Sequence, residues 1–170
     1  TTSTSVQLSI GDALAIAVMN HRKFNHLDFK KFHPGGNLGK RLKTVEDLML
    51  TKLKIPFVNE NSTIKNGLRI INSKKLGVCV VIDKKKQTTG IFTDGDIKRA
   101  IQKKIDINKN KIKSFMTKSP ICVEKDTLAA KALAIMNEKK ITSLCVFNKG
   151  NKKRTIGVLH IHNILESNIS

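Results

Sequence analysis

Thr93 and Asp96 are the residues of this chain best placed to do chemistry. They stand in the run Gly90-Ile91-Phe92-Thr93-Asp94-Gly95-Asp96-Ile97. The pattern predicts a strand that ends at Thr93 and a helix capped by Asp94 or Asp96. The opening N–H groups of a helix lack partners inside it and can meet a phosphate. The Thr93 hydroxyl can bond phosphate or ribose. The Asp96 carboxylate can accept from two ribose hydroxyls, as acids do in other nucleotide sites. The same two residues can instead do no more than cap the helix. A duplication of the motif favours the ligand reading.

The second copy is Gly157-Val158-Leu159-His160-Ile161-His162-Asn163-Ile164. Earlier segments match as well. Val45-Glu46-Asp47-Leu48-Met49 lines up with Ile112-Lys113-Ser114-Phe115-Met116, and Pro56 with Thr63 lines up with Pro120 with Thr127. The period is about 65 residues, and a repeat of this kind lets two copies face each other across paired clefts. His160 replaces the threonine in the second copy and Asn163 replaces the aspartate. An amide donates as well as accepts, but it carries no charge. His160 and His162 would share one face of a strand and could bind a metal. No third ligand of the right type stands near them, so no metal is expected.

The elements that must position these residues follow from periodicity. Residues 44–107 read as strand or turn, helix, two strands, helix. Thr63 can cap a helix through Ile64, Leu68, Ile70 and Ile71. Val78–Ile82 is a continuous apolar run, as in a strand buried on both faces. Lys84–Thr89 is a turn, Gly90–Phe92 a strand, and the next helix reaches Lys103. Lys104–Lys111 links the copies. Residues 111–170 repeat the order. Thr127 is expected to cap a helix Leu128–Lys139, Ser143–Phe147 and Ile156–His160 to be strands around the basic loop Asn148–Thr155, and His162 or Asn163 to start the last helix.

The 170 residues carry a net charge of +19, a balance seen in nucleic-acid binders. Twenty-seven lysines but only five arginines produce it, beside 20 isoleucines and 14 asparagines. AT-rich codons favour Lys, Ile and Asn together. The lysines fall in scattered loops such as Lys84–Lys86 and Lys152–Lys153, not on one face interleaved with aromatics. Nucleic acid is therefore not the expected partner. Cys79, Cys122 and Cys145 form no CxxC pair, and Cys79 and Cys145 sit in apolar runs, which fits a reducing cytoplasm. No apolar run approaches the ~18–20 residues that span a bilayer, and no signal peptide is visible.

Residues 1–43 differ from the rest. Val6–Met19 is apolar on nearly every face, so a helix there should be covered on several sides. The remaining chain is too short to cover it, which points to a missing domain or a partner subunit. A short helix is expected from Leu27 to Lys31, broken by His33-Pro34-Gly35-Gly36.

The duplicated pattern over residues 44–170 resembles the cystathionine-β-synthase (CBS) domain pair. That resemblance implies βαββα folds packed through their sheets, with adenine nucleotides bound in the clefts. The ligand contacts it implies are Gly90, Thr93, Asp94 and Asp96, with His160 in the second copy. The runs Thr1–Ser5, Gly11–Ala15 and His33-Pro34-Gly35-Gly36-Asn37-Leu38-Gly39-Lys40 look like the end of a sugar isomerase (SIS) domain. An SIS end followed by a CBS pair is the layout of bacterial arabinose-5-phosphate isomerases. The overall expectation is an α/β (α+β) architecture: residues 1–43 as an SIS remnant, 44–107 as the first CBS domain and 108–170 as the second.

The isomerase resemblance implies interconversion of ribulose 5-phosphate and arabinose 5-phosphate for the Kdo sugar of lipopolysaccharide. His33 takes the position of the family's catalytic histidine, which can exchange protons near neutral pH on the way through an enediol. The family's other catalytic residues and sugar-phosphate loops lie upstream of the matched region. The chain alone is therefore expected to be inactive, binding sugar phosphate only with a complete SIS domain. No cofactor is required; a regulatory nucleotide or sugar nucleotide would occupy the CBS cleft. A cytoplasmic homo-oligomer, dimer or tetramer, is expected. The alternative is a stand-alone CBS pair that senses a nucleotide or drives assembly.

Overall fold

The computed structural model describes residues 1–32 and 42–167. The chain divides into two units, Thr1–Leu42 and Lys43–Ser170. In the first unit, helix α1 spans Thr2–His21, and the Thr1 side chain accepts from the Thr4 N–H as its cap. None of its residues is buried; Leu8, Ile10 and Leu14 are among its exposed apolar side chains. The cover expected from its composition is not supplied within this unit. Helix α2, His26–Phe32, starts where Asn25 Oδ1 accepts from the Leu27 N–H at 2.8 Å. His33, the expected catalytic residue, lies outside the described residues.

The second unit holds two four-stranded sheets. Helix α3, Val45–Leu48, leads into β1, Leu50–Thr51. Then come β2 (Phe57–Asn59), helix α4 (Ile64–Lys74), β3 (Val78–Ile82), β4 (Thr88–Thr93) and helix α5 (Asp94–Gln102). The second copy supplies β5 (Thr117–Lys118), β6 (Cys122–Glu124), helix α6 (Ala129–Lys139), β7 (Ser143–Phe147), β8 (Gly157–His160) and helix α7 (Ile161–Glu166). In each sheet a central antiparallel hairpin pairs with one parallel strand, joined by a crossover helix.

The apolar runs behave as strands buried on both faces. Cys79 and Val81 pack with Phe92 and Ile71 of the first copy. Val80, between them, faces Cys145, Phe147 and Val158 of the other sheet. Leu144 and Val146 pack toward the helices of the second copy. Side-chain alternation thus splits one apolar run between two cores.

The short leading strands are exchanged. β1 precedes the first copy yet pairs with β8 of the second, and β5 precedes the second copy yet pairs with β4 of the first. Val45 joins the core of the second copy and Ile112 that of the first. The copies therefore interlock across the sequence boundary between 107 and 108. This explains the two strand glycines. A Cβ on Gly90 would lie 2.6 Å from the Thr117 carbonyl oxygen and 3.0 Å from Met116 Sδ. On Gly157 it would overlap Met49 Sδ and lie 3.2 Å from the Leu50 carbonyl oxygen. Each glycine makes room for the strand arriving from the other repeat. Thr127 does not cap α6 as expected. Leu128 holds the cap position without a side-chain bond, and the Thr127 carbonyl instead accepts from the Val45 N–H at 2.8 Å. That bond is again part of the exchange.

Candidate ligand cleft

The β4–α5 junction is built by a capping box. Thr93, in extended geometry, is the N-cap of α5. Its backbone N–H and its hydroxyl both donate to Asp96 Oδ2, each at 2.8 Å, and Asp96 N–H donates to Thr93 Oγ1 at 3.3 Å. The spacing Thr-x-x-Asp satisfies two orphan helix donors reciprocally. Asp96 Oδ1 accepts from Arg99 and, at 3.3 Å, from the hydroxyl of Thr117 on the exchanged strand. Asp96 is only 2% exposed. Four donors compensate its desolvation, as a buried carboxylate needs. This corrects the expectation that Asp96 presents itself to ribose: its oxygens are turned inward and saturated.

A cleft of about 320 Å³ opens beside this junction. One wall carries Gly77, Val78, Ile91, Thr93, Asp94 and Gly95; the other carries Lys140, Ile141, Thr142 and Ser143 of the second copy. Of the candidate site residues, Thr93 and Asp94 line this cleft. Asp94 N–H donates to the Gly77 carbonyl at 3.1 Å, and Gly77 has φ +64°, which favours glycine. Asp94 is exposed and provides the acidic group that Asp96 does not.

Gly90 is corrected too. It is buried in mid-strand against Met116 and Thr117 and is not among the cleft-lining residues. His160 stands elsewhere as well. It is the N-cap of α7, its Nδ1 accepts from the His162 N–H at 3.3 Å, and its own N–H donates to Asn163 Oδ1 at 3.2 Å. Burial, and then the neighbouring His162, hold its pKa below the ordinary value. The neutral ring that results is the form able to accept at Nδ1. Ile161 and His162 occupy the positions that Asp94 and Gly95 hold in the first copy, and the two imidazole rings lie 5.0 Å apart. Among the described residues no group of three His, Cys, Asp or Glu could hold a metal.

Ser143 was not foreseen. Its hydroxyl is buried on the cleft wall with no hydrogen-bond partner among the described residues. Lys140, also unforeseen, ends α6 in left-handed geometry at φ 52° and overhangs the same wall. Lys75 ends α4 in the same way. That recurring helix–Lys–x–x–strand step was a usable signal, because it puts the start of β3 beside the start of β7. The cysteines near the site are inert. Burial, reinforced by Asp96 and Asp94, pushes the Cys79 thiol up to about 12, and burial does the same to Cys145.

The CBS-domain family model matches residues 45–103 and 112–169. The chain belongs to the CBS-domain family. This CBS pair is 39% identical over 170 residues to the arabinose 5-phosphate isomerase KdsD of Yersinia pestis, covering 99% of the chain and 51% of the relative. It is 40% identical to the KdsD of Pseudomonas aeruginosa, covering 99% of the chain and 52% of the relative. The chain thus spans about half the length of the curated relatives it matches. Among solved structures, CBSX2 in complex with AMP matches with a TM-score of 0.62 and 26% identity, over 73% of this chain and 94% of that one. Among the described residues no helix is long and apolar enough to cross a membrane.

Proposed function

We propose that this CBS pair is the regulatory part of an arabinose-5-phosphate isomerase and that its 320 Å³ cleft binds an adenine nucleotide or a sugar nucleotide. The observation that carries the proposal is Ser143. A buried hydroxyl without a partner costs about 1–3 kcal/mol, and a ligand hydroxyl or ring nitrogen seated there removes that cost. Val78 and Ile91 offer an apolar surface to a base. Asp94 accepts from ribose. Lys140 and the Gly95 N–H at the start of α5 meet a phosphate. The AMP complex of CBSX2 supports the ligand class, and the likeness to KdsD supports the enzyme assignment. Because both copies line the cleft, a ligand there clamps one against the other, which is how occupancy would reach an attached catalytic domain. The exposed apolar residues of α1 fit cover by that domain or by a second copy in a dimer or tetramer.

Calorimetric titration with AMP, ATP and UDP-glucose tests the ligand. At least one should bind, Lys140→Gln should weaken it about tenfold, and Ser143→Ala about three- to tenfold, the value of one hydrogen bond. No binding by any of the three, or unchanged affinity in both variants, contradicts the reading. An isomerase assay on the 170-residue chain should detect no turnover, because the chain spans about half the length of the isomerases it is similar to.

A further inference from the structure

The geometry points to a second ligand site, at the opposite end of the sheets, that takes a compact organic phosphate. The turn after β3 and the loop after β7 are far apart in sequence, but the fold ties them together. Thr88 N–H donates to the Lys153 carbonyl at 2.8 Å, the Thr88 and Thr155 hydroxyls bond at 2.8 Å, and Thr155 N–H donates to Thr88 Oγ1 at 3.1 Å. Arg154 Nη2 donates to the Lys85 carbonyl at 3.4 Å. Lys84–Lys86 and Lys152–Arg154, scattered in sequence, become one cationic cluster. Asp83, at the start of the first turn, accepts from the Gln87 N–H at 2.8 Å, and Glu60 meets this end of the sheet through its N–H, which donates to the Ile82 carbonyl at 2.9 Å. Among the described residues none of the six cations is in an ion pair.

Two of these cations, Lys86 and Arg154, line a cleft of about 350 Å³ together with Phe57, Ile82 and Thr155. This volume lies within the range of small-molecule sites, about 300–1,000 Å³. The cleft is distinct from the first. Val78 lines one and Ile82 the other, and the rise over four steps of extended strand separates them by roughly 13 Å. Lys86 and Arg154 share one cleft wall, and like charges repel, so an anion between them relieves the repulsion. Arg154 spends one N–H on Lys85 and keeps others for paired contacts to phosphate oxygens, while Lys86 adds a point charge. Phe57 and Ile82 give an apolar floor against which a planar or apolar group can lie. A concave floor with cations on its rim suits a phosphorylated small molecule better than a duplex, which needs its cations spread along a surface.

Amide signals of the whole chain, followed while ATP or inorganic pyrophosphate is added, test this directly. Saturable shifts at Thr88 and Thr155 are expected with both probes, with ATP tighter because it also uses the apolar floor. Lys86→Gln combined with Arg154→Gln should weaken those shifts at least tenfold. Removing the same charge elsewhere, with Lys109→Gln and Lys113→Gln, should change them less than twofold. Shifts confined to Gly77, Gly95 and Ser143 would overturn the second site while leaving the first standing. Equal weakening by the two double variants would reduce the effect to bulk charge and overturn it too. So would a DNA duplex that produces the same shifts at lower concentration than ATP.

Discussion

The two capping boxes hold the same place in the two copies and are built from different chemistry. In the first, the carboxylate of Asp96 gathers Thr93, Arg99 and Thr117. In the second, among the described residues, the amide of Asn163 accepts from His160 N–H alone, and the imidazole of His160 takes over from the threonine hydroxyl. The supporting positions change with them. Glu166 stands where Arg99 does, and Leu50 of β1 stands where Thr117 of β5 does. The buried carboxylate of Asp96 needs a cation and extra donors, and the half-buried amide of Asn163 does not. The four substitutions therefore form one coherent exchange of a charged network for a neutral one. The cleft lies beside the charged version, where Asp94 and Gly95 line it; at the matching positions of the second copy Ile161 packs against that copy's core and His162 is exposed.

Several substitutions can break this comparison. The largest effect is expected at the strand glycines, where both copies share one device. Gly90→Ala forces a Cβ against the Thr117 carbonyl, which is backbone and cannot yield, and should cost about 3 kcal/mol in denaturant unfolding. Gly157→Ala meets mainly the flexible Met49 side chain and should cost about 1–2 kcal/mol. Equal costs would deny that the exchanged strands set these positions.

The caps come next. Asp96→Ala leaves the Thr93 N–H and the Thr117 hydroxyl without their acceptor and should cost about 2–3 kcal/mol. Arg99, whose side chain is 62% exposed, rehydrates and adds little. Asn163→Ala removes a single acceptor and should cost about 1 kcal/mol. If both alanine variants lose the same stability, the charged network has no special role.

The smallest effect is a pH dependence confined to the second copy. The folded pKa of His160 is lowered by burial and by His162. The unfolded chain therefore takes up the proton first, so stability is fully present above about pH 6.5. It falls as pH drops through that value toward the lower folded pKa. His160→Thr, which copies the first cap, should flatten this part of a plot of Tm against pH. An unchanged slope would place the titration on another group.

The elements were legible where local physics decides them. Val78–Ile82 and Ser143–Phe147 appear as expected because continuous apolar runs bounded by polar turns have few alternatives. The exchanged strands β1 and β5 were not legible, since two-residue strands carry no period and their partners lie in the other repeat. The site was read in part. Thr93 and Asp94 reach the cleft, but Thr-x-x-Asp is also the signature of a capping box, and burial decided Asp96 in favour of the cap. Ser143 was missed because its importance lies in an absent partner, which no sequence pattern records.

Photolabelling with 8-azido-AMP, followed by mass spectrometric mapping of the modified peptides, tests the central claim most directly. The account predicts label on the segments around Val78, Ile91 and Lys140, the walls of the cleft beside Thr93, and its loss when AMP competes. Competable label on Val158–Asn163 instead, at the neutral cap of the second copy, would contradict it.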